Sequence, residues 1–427
     1  MTMLDHRESR DRRTSTDDYR PLPPGGGRLL LAAHPDLATH RRHLGLLPPL
    51  AQPARLLAEI DAAGLRGRGG AGFPTARKLA AVAAGRSPVV IANGAEGEPA
   101  SAKDRTLWAH APHLILDGLQ LAGALVGARR AIGYVPAGPS TASLRRALAD
   151  REAAGADPIP VEIVEAPDRF LAGEESAVVS RIEGKPALPR DTLRRVVVAG
   201  VDGHPTLVQN VETLAHLALL ARFGGAWFRG VGTSGDPGTF LATVSGAVAS
   251  PGVYEVAYGI PLGDLLERAG GWVGRPQACL VGGYGGAWVP ADAADVPVST
   301  AGLRPFGAAP GAGVVVALPA GACGLRAAAD ITRYLAGQGA RQCGPCRNGL
   351  PQMAGTLTRL ADRERSPALV AELERLTRLV EGRGACHHPD GTVRLVRSTL
   401  RTFPAEIDRH LAGTCGQEPM PAAGGAR

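Results

Sequence analysis

Strand-like and helix-like stretches alternate along the chain from residue 45 to residue 235. The strand-like runs lie at 88–93, 131–135 and 161–164, and the helical patterns at 113–128 and 140–152. This alternation predicts a Rossmann-like α/β fold, in which helices cover a parallel sheet. Ligands of such folds bind beyond the carboxyl ends of the strands, so the residues that follow the strands are the first candidates for a binding site.

Two other patterns follow. Strand-like runs at 239–244 and 252–256 flank a Pro/Gly turn, which predicts a small β-rich domain. Towards the carboxyl terminus, apolar residues recur with helical spacing over 369–380 and 393–411, with an interruption at Pro404. This spacing predicts a small helical bundle.

The predicted division of the chain has four parts. They are a disordered or extended tail over 1–44, an α/β domain over 45–235, a β-rich domain over 236–318 and a helical domain over 319–427. The first 27 residues are charged and then rich in Pro and Gly, and they lack the apolar core of a signal peptide.

Composition excludes some functions. The chain carries 47 Lys and Arg against 40 Asp and Glu, but aromatic residues make up only 4%, so no platform for stacking nucleic-acid bases is expected. Six cysteines that include a close pair do not form the pattern of a secreted disulfide scaffold. No apolar run is long enough to span a membrane. These features predict a cytoplasmic protein with no direct membrane span and no nucleic-acid partner.

The segment Gly64–Thr75 packs five glycines between positions 64 and 72, with two arginines among them. Glycine lets backbone N–H groups approach an oxyanion, and arginine is the side chain best suited to phosphate. A helix predicted directly after this segment would reinforce anion binding. The segment is interpreted as a phosphate cradle, with a plain flexible loop as the alternative.

Three shorter motifs follow strand-like runs or open helices. They are Asn93–Pro99 with its two glutamates, Phe170–Ser176 with an adjacent acid pair, and Pro205–Thr213 with Gln209 and Asn210. Such residues are able to bind a ribose or the polar edge of a flavin. Each motif also has a plain alternative, which is a solvated acidic turn or a capped helix start.

A Cys-x2-Cys pair, Cys343 and Cys346, is accompanied by Cys386 forty residues later. Three such thiols favour a metal site over a dithiol switch. An iron–sulfur cluster and a zinc site with His387 as a further ligand both remain open. Cys279 and Cys323 are expected to be buried apolar side chains, and Cys415 is expected to be free.

These five elements in this order resemble the NADH-binding, FMN and iron–sulfur flavoprotein subunit family of respiratory complex I and of NAD-linked hydrogenases and formate dehydrogenases. The similarity runs from Leu47 to Leu411. It implies an α/β domain for FMN and NAD(H), a ubiquitin-like β-grasp domain and a helical domain with one [4Fe–4S] cluster. It also implies ferredoxin-like carriers or other redox subunits as partners.

The resemblance assigns roles to individual residues, and none of them is an acid or base in hydride transfer. FMN contacts are implied for Gly67, Arg68, Gly69, Lys78, Asn93, Glu96, Gly173, Glu174, Glu175 and Asn210, with Gln209 beside them. Nucleotide contacts are implied for Phe73, Glu98 and Phe170. Cluster ligands are implied for Cys343, Cys346 and Cys386.

The sequence also departs from the family pattern. Ala340 replaces the first cysteine of the cluster motif, Ala95 replaces an acidic residue of the FMN loop, and Ala81 replaces an aromatic that stacks on adenine. The family's Pro-Pro-Phe-Pro stretch is missing around 190–198. These departures predict a divergent, stand-alone member in which flavin binding is better preserved than nucleotide specificity.

The predicted function is that of an FMN-dependent NAD(P)H dehydrogenase, which passes electrons through a cluster to a ferredoxin-like or membrane electron-transfer partner. The alternatives are a non-catalytic flavin-binding or assembly subunit of a larger redox complex and a zinc-bearing structural relative.

Overall fold

The computed structural model describes residues 28–30, 34–191 and 194–416. The strands, in chain order, are β1 Val89–Asn93, β2 Arg130–Pro136, β3 Val161–Ala166, β4 Thr206–Asn210, β5 Thr239–Gly246, β6 Gly252–Ala257, β7 Pro276–Val281, β8 Ala287–Pro290 and β9 Val314–Pro319. The helices up to the second sheet are α1 Leu37–Leu44, α2 Pro53–Ala63, α3 Thr75–Ala83, α4 Lys103–His110, α5 Pro112–Val126, α6 Pro139–Ala153, α7 Glu175–Ile182 and α8 Val211–Arg229. The later helices are α9 Leu262–Arg268, α10 Thr300–Leu303, α11 Gly324–Gln338, α12 Leu350–Ala361, α13 Ala368–Val380, α14 His388–Thr402 and α15 Pro404–Leu411.

The first sheet is parallel and has the strand order β3-β2-β1-β4. The strands predicted at 88–93, 131–135 and 161–164 correspond to β1, β2 and β3, so the predicted α/β fold is confirmed. β1 lies between β2 and β4, and its last residue, Asn93, is paired with Tyr134 on one side and Asn210 on the other. Apolar residues of β1 are buried against α5 and α8, which supply more of the core on that face than any other element.

The second sheet has five strands in the order β6-β5-β9-β7-β8. β5 pairs antiparallel with β6, its hairpin partner, and parallel with β9, which lies in the middle of the sheet. Leu262, Leu265 and Leu266 of α9 are buried against one face of this sheet. A mixed sheet around one helix is the expected β-grasp arrangement.

The last part of the chain is helical, as predicted. Leu369, Leu373, Leu376 and Val380 are all buried on one face of α13. The expected interruption at Pro404 separates α14 from α15, because Pro404 lacks the N–H that would continue the helix. These helices share one apolar core with the face of the second sheet that α9 leaves open.

The amino-terminal prediction needs a correction. Residues 1–27 lie outside the described part, but residues 37–44 form helix α1 and are not extended. His40 of α1 is 1% exposed and lies 2.8 Å from a carboxylate oxygen of Asp117. The backbone N–H groups of Leu29 and Leu30 donate to the buried carboxylate of Glu255. The polar sequence of this segment did not indicate these contacts, because Asp117 and Glu255 are distant in sequence from it. The other domain boundaries remain predictions.

Within the described residues, every helix is too short or too polar to cross a bilayer.

Asp117 on α5 is the centre of a buried ionic cluster. Its oxygens accept from Arg151 at 2.8 Å, from Arg222 at 2.5 Å and from His40 at 2.8 Å. Burial alone would raise the pKa of Asp117, but these three partners hold it below its ordinary range. The cluster joins α1, α5, α6 and α8.

We predict that Asp117→Asn lowers stability at pH 7 by about 3–5 kcal/mol, because it leaves the buried guanidinium of Arg222 without its carboxylate and that of Arg151 with Asp157 alone. A carboxylate whose pKa is depressed by folding stabilises the fold at pH values above its pKa in the unfolded chain. The stability difference between the wild type and Asp117→Asn should therefore shrink as the pH falls below about 4. Thermal unfolding of both proteins across pH measures it. Glu162→Gln, which breaks a pair between half-exposed side chains, is the control and should cost less than about 1 kcal/mol. Equal losses in the two variants would contradict the prediction.

Candidate functional site

The candidate site begins where β1 and β4 end. The strand order reverses between these neighbouring strands, since β2 and β3 lie on one side of β1 and β4 lies on the other, and such a switch point is where α/β folds bind ligands. Asn93 and Asn210 lie side by side there, and the amide nitrogen of Asn210 is 3.4 Å from the carbonyl oxygen of Asn93. The side chain of Asn210 also caps α8 by accepting from the N–H of Glu212. The capping interpretation of Asn210 is therefore correct, and its amide still faces the strand ends.

The glycine-rich segment lies against this edge. Gly67 donates its N–H to the carbonyl of Phe73 at 2.9 Å, which closes the segment into a compact loop before α3. A Cβ on Gly69 would come within 3.2 Å of Asn210 Cβ, and Gly70 has φ +114°. Glycine at these two positions is what allows the loop to approach Asn210. Gly69 and Gly70 are exposed.

The side chain of Arg68 does not lie in the loop as expected. It is 5% exposed, donates to the carbonyl of Pro237 at 3.0 Å and lies 4.6 Å from the ring centroid of Tyr258. Its backbone N–H donates to Thr213 Oγ1. Arg68 thus ties the loop to α8 and the second sheet, and its contacts do not support the predicted phosphate role. The guanidinium is buried against the Pro237 carbonyl and the Tyr258 ring. No local sequence pattern reveals these two partners.

The loop before α7 adjoins the same edge. Asn93 Nδ2 donates to the carbonyl of Gly173 at 2.9 Å, and the carboxylate of Glu174 accepts from the first N–H groups of α7. Lys78 on α3 donates to the carbonyl of Val208 at 2.7 Å, and its Nζ lies 2.8 Å from Glu175 Oε1. These contacts bring the four motifs of the α/β region together.

Beneath them lies a buried polar cluster that the motif analysis missed. Lys103 Nζ is 2.6 Å from Asp104, 3.0 Å from Glu212 and 3.2 Å from Asn210 Oδ1. Burial alone would lower the pKa of Lys103, but Asp104 and Glu212 raise it above the ordinary value. The rarity of lysine in this chain, with three in all, was the one available signal.

The two glutamates of the second motif have separate roles. Glu96 caps α4, since its carboxylate accepts from Ser101 Oγ and from the N–H of Asp104. Glu98 reaches the second sheet, where it accepts from the N–H of Tyr284 at 2.9 Å. Burial raises the pKa of Glu98 to about 7.

Of the remaining residues that were predicted to contact a cofactor, Phe73 is exposed and Gln209 is buried. The ring of Phe73 is 50% exposed beside the glycine-rich loop. Gln209 is 5% exposed, and its nearest polar partner is Thr75 Oγ1 at 3.4 Å beneath α3.

Phe170 contacts the helical bundle. Its N–H donates to Gln338 Oε1 at 3.1 Å, and its ring lies 5.4 Å from the ring of His388 and 6.2 Å from that of Tyr334. The loop that carries Glu174 therefore rests directly on α11 and α14.

Cys343 and Cys346 of the Cys-x2-Cys motif lie beside Cys386, so the three thiols form one group. Burial, followed by the charge of Cys343, raises the pKa of Cys346 to about 11. Burial also opposes ionisation of Cys343, but N–H groups of Ala385 and Cys346 bring its pKa below the ordinary value. Burial raises the pKa of Cys386, and nearby Glu174 and Cys343 raise it further. The thiol group thus adjoins the loop before α7.

His387 is not part of this group. Its side chain is fully exposed, and Nδ1 lies 3.5 Å from Asp390. The option of a zinc site completed by His387 is therefore not supported. Cys279 is buried as expected, whereas Cys323 and Cys415 lie beside His410.

Comparison with known families matches three regions of the chain. Residues 60–219 match the Nuo51 FMN-binding domain, residues 241–283 match the SLBB domain, and residues 326–410 match the iron–sulfur binding region of NADH-ubiquinone oxidoreductase-F. The first region contains the four gathered motifs, and the third contains the three thiols.

Relatives and solved structures agree over nearly the whole chain. A NADH-quinone oxidoreductase subunit of Rhizobium meliloti (strain 1021) is 33% identical over 84% of this chain and 89% of its own length. The mitochondrial NADH dehydrogenase (ubiquinone) flavoprotein 1 of Dictyostelium discoideum is 30% identical over 83% of this chain and 78% of its own length. A chain of an NAD+-reducing [NiFe]-hydrogenase in the air-oxidized state superposes with a TM-score of 0.81 at 30% identity, covering 97% of this chain and 73% of that chain.

The gathered motifs, the thiol group and these matches lead to one conclusion: the chain belongs to the family of the FMN- and iron–sulfur-binding subunits of NADH-quinone oxidoreductases.

Proposed function

We propose that this protein oxidises NAD(P)H with FMN and passes the electrons through an iron–sulfur cluster to a ferredoxin-like carrier or to other redox subunits. The observation that carries this proposal is the contact between the two candidate sites. The ring of Phe170, in the loop before α7, lies 5.4 Å from the ring of His388, two residues after Cys386. The same loop is fixed to the bundle through Phe170, Gln338 and His388.

The residues at the switch point fit FMN. Gly69 and Gly70 offer exposed backbone, and a Cβ on Gly69 would press on Asn210. Lys78 supplies an ammonium group with 17% of its side chain exposed. We assign the binding of FMN to Gly67, Gly69, Lys78, Asn93, Gly173, Glu174, Glu175 and Asn210. Arg68, Glu96 and Gln209 act behind them as positioning residues.

The thiols fit a cluster with three protein ligands. Cys343 Sγ accepts from the N–H groups of Cys346 and of Ala385, the residue before Cys386, so the three thiols lie close together. Cubane clusters usually take four thiolates, and Ala340 removes the fourth. We propose that one iron of the cluster has no protein thiolate.

Phe73 and Glu98 border the open side of the FMN region. The exposed ring of Phe73 offers a surface for stacking a base or a nicotinamide ring. Glu98 holds the N–H of Tyr284 and so fixes the second sheet against the loop after β1. We assign Phe73 to nucleotide contact and Glu98 to positioning.

FMN, when bound, accepts a hydride and releases electrons singly. The chain itself therefore has to bind the cofactor, orient it and shield it. Asn93 and Asn210 fix the loops at the strand ends, and the Phe170 loop holds the thiol-bearing segment beside them. No side chain needs to act as acid or base.

The cysteines indicate the cellular compartment, and the net charge indicates the kind of electron carrier. All six cysteines are free thiols, which suits a reducing compartment, and we propose a cytoplasmic location. The formal net charge of +7 would attract an acidic electron carrier.

We predict that Lys78→Ala weakens FMN binding about 10- to 100-fold, because it removes one charge-assisted contact. Quenching of FMN fluorescence on titration into the apoprotein measures the change. Lys185→Ala is the matched control, since Lys185 pairs with Glu183 and its side chain is 65% exposed. Equal affinity in wild type and Lys78→Ala would contradict the assignment.

We predict that Phe73→Ala retains FMN but raises KM for NADH about 3- to 10-fold, because a stacking surface is lost. Steady-state kinetics with an artificial acceptor measures KM. Phe223 is similarly exposed on α8, at 46%, and Phe223→Ala is the control that leaves KM unchanged. An unaltered KM in Phe73→Ala would remove Phe73 from the nucleotide site.

We predict that Cys343→Ser, Cys346→Ser and Cys386→Ser each lose iron and labile sulfide while they retain FMN. Iron, sulfide and flavin analysis of anaerobically purified protein measures this. Cys279→Ala, in the second sheet, should keep its iron. Zinc without iron at these thiols would instead favour the zinc-bearing structural relative.

A further inference from the structure

A second group of metal-binding side chains lies at the far end of the bundle. The ligand atoms of Cys323, His410 and Cys415 all lie within 4.8 Å of one another. Cys323 Sγ is 3.5 Å from His410 Nε2. We propose that these three residues bind a zinc ion, which fastens the segment after α15 to the start of α11. The proposed function does not use this site.

The ring of His410 is held in the orientation that a metal ligand needs. It is 1% exposed, and its Nδ1 lies 3.0 Å from the carbonyl oxygen of Leu360. A carbonyl only accepts, so Nδ1 carries the proton and the lone pair of Nε2 points towards Cys323. Metal-bound histidines are fixed in this way, with the second ring nitrogen donating to a carbonyl or carboxylate.

Cys323 is prepared for a cation by its place at a helix start. Its Sγ accepts the N–H of Arg326 at 3.3 Å as the cap of α11. The thiol of Cys415 lies within 4.8 Å of it, and the carboxylate of Glu406 contacts the next residue, Gly324. The metal-free group is thus crowded with potential negative charge, which a divalent cation would neutralise.

Glu406 positions the group. It is 2% exposed and lies one turn before His410 on α15. Both of its carboxylate oxygens accept from the N–H of Gly324, the residue after Cys323. This contact holds the start of α11 against α15.

Two thiolates and an imidazole suit zinc, which needs no redox partner. The site is also separate from the Cys343 group. Cys323 precedes α11 and Cys343 follows it, and the 15 residues of α11 span about 22 Å. An ion there would stabilise the bundle and would not carry electrons from the flavin region.

Elemental analysis of the full chain, purified anaerobically without added metal, tests the proposal. We expect about one zinc per chain in addition to the iron of the cluster. Cys323→Ser, His410→Ala and Cys415→Ser should each lose the zinc while FMN and iron are retained. Cys279→Ala is the matched control, because it removes a buried thiol of the second sheet and should keep the zinc.

A chelator experiment covers variants that fold poorly. Cys415 lies beyond the last helix and is partly exposed, so Cys415→Ser is the variant least expected to disturb folding. EDTA should lower the thermal unfolding midpoint of the wild type and leave that of Cys415→Ser unchanged.

Three results would overturn the proposal. They are equal zinc in wild type and Cys415→Ser, zinc that is lost from Cys343→Ser but not from Cys323→Ser, and a Cys323–Cys415 disulfide in protein kept anaerobic. Alkylation followed by mass spectrometry detects the disulfide.

Discussion

The buried ammonium group of Lys103 holds the functional edge of the molecule together. Lys103 is 2% exposed, and a buried charge requires polar partners. Asp104, Glu212 and Asn210 are these partners. Glu212 in turn accepts the N–H of Leu241 on β5 at 3.0 Å. One cation therefore joins α4, the end of β4, the start of α8 and the second sheet. The position of Asn210, against which the glycine-rich loop packs, depends on this network.

The candidate flavin region lies where three parts of the chain meet. Arg68 and Glu98 reach the second sheet through Pro237 and Tyr284. Phe170 reaches the bundle through Gln338. Arg68, Glu98 and Phe170 were predicted to contact a ligand, and each fixes a loop that borders the site. A protein that leaves the redox chemistry to cofactors still requires many specific side chains, because they hold these loops and the thiol-bearing segment in place.

The sequence predicted the fold well, and the motifs that it singled out gather at one edge of the first sheet, because both depend on local patterns. Alternating apolar runs mark β1 to β3, and polar residues at strand ends identify Asn93 and Asn210. The directions of side chains were less predictable. Arg68 turns inward, His387 faces solvent, and Cys323 meets Cys415 across the bundle, since each orientation depends on partners that are distant in sequence. Two partners of Lys103, Glu212 and Asn210, were hidden for the same reason.

The central claim is that electrons from NADH reach the thiol-bound cluster through the flavin region. The most direct measurement is the visible spectrum of anaerobically purified protein before and after NADH is added. The account predicts that the flavin band and the broad iron–sulfur absorption both lose intensity. A flavin band that dithionite bleaches but NADH and NADPH leave unchanged would contradict the account and favour a non-catalytic flavin-binding subunit.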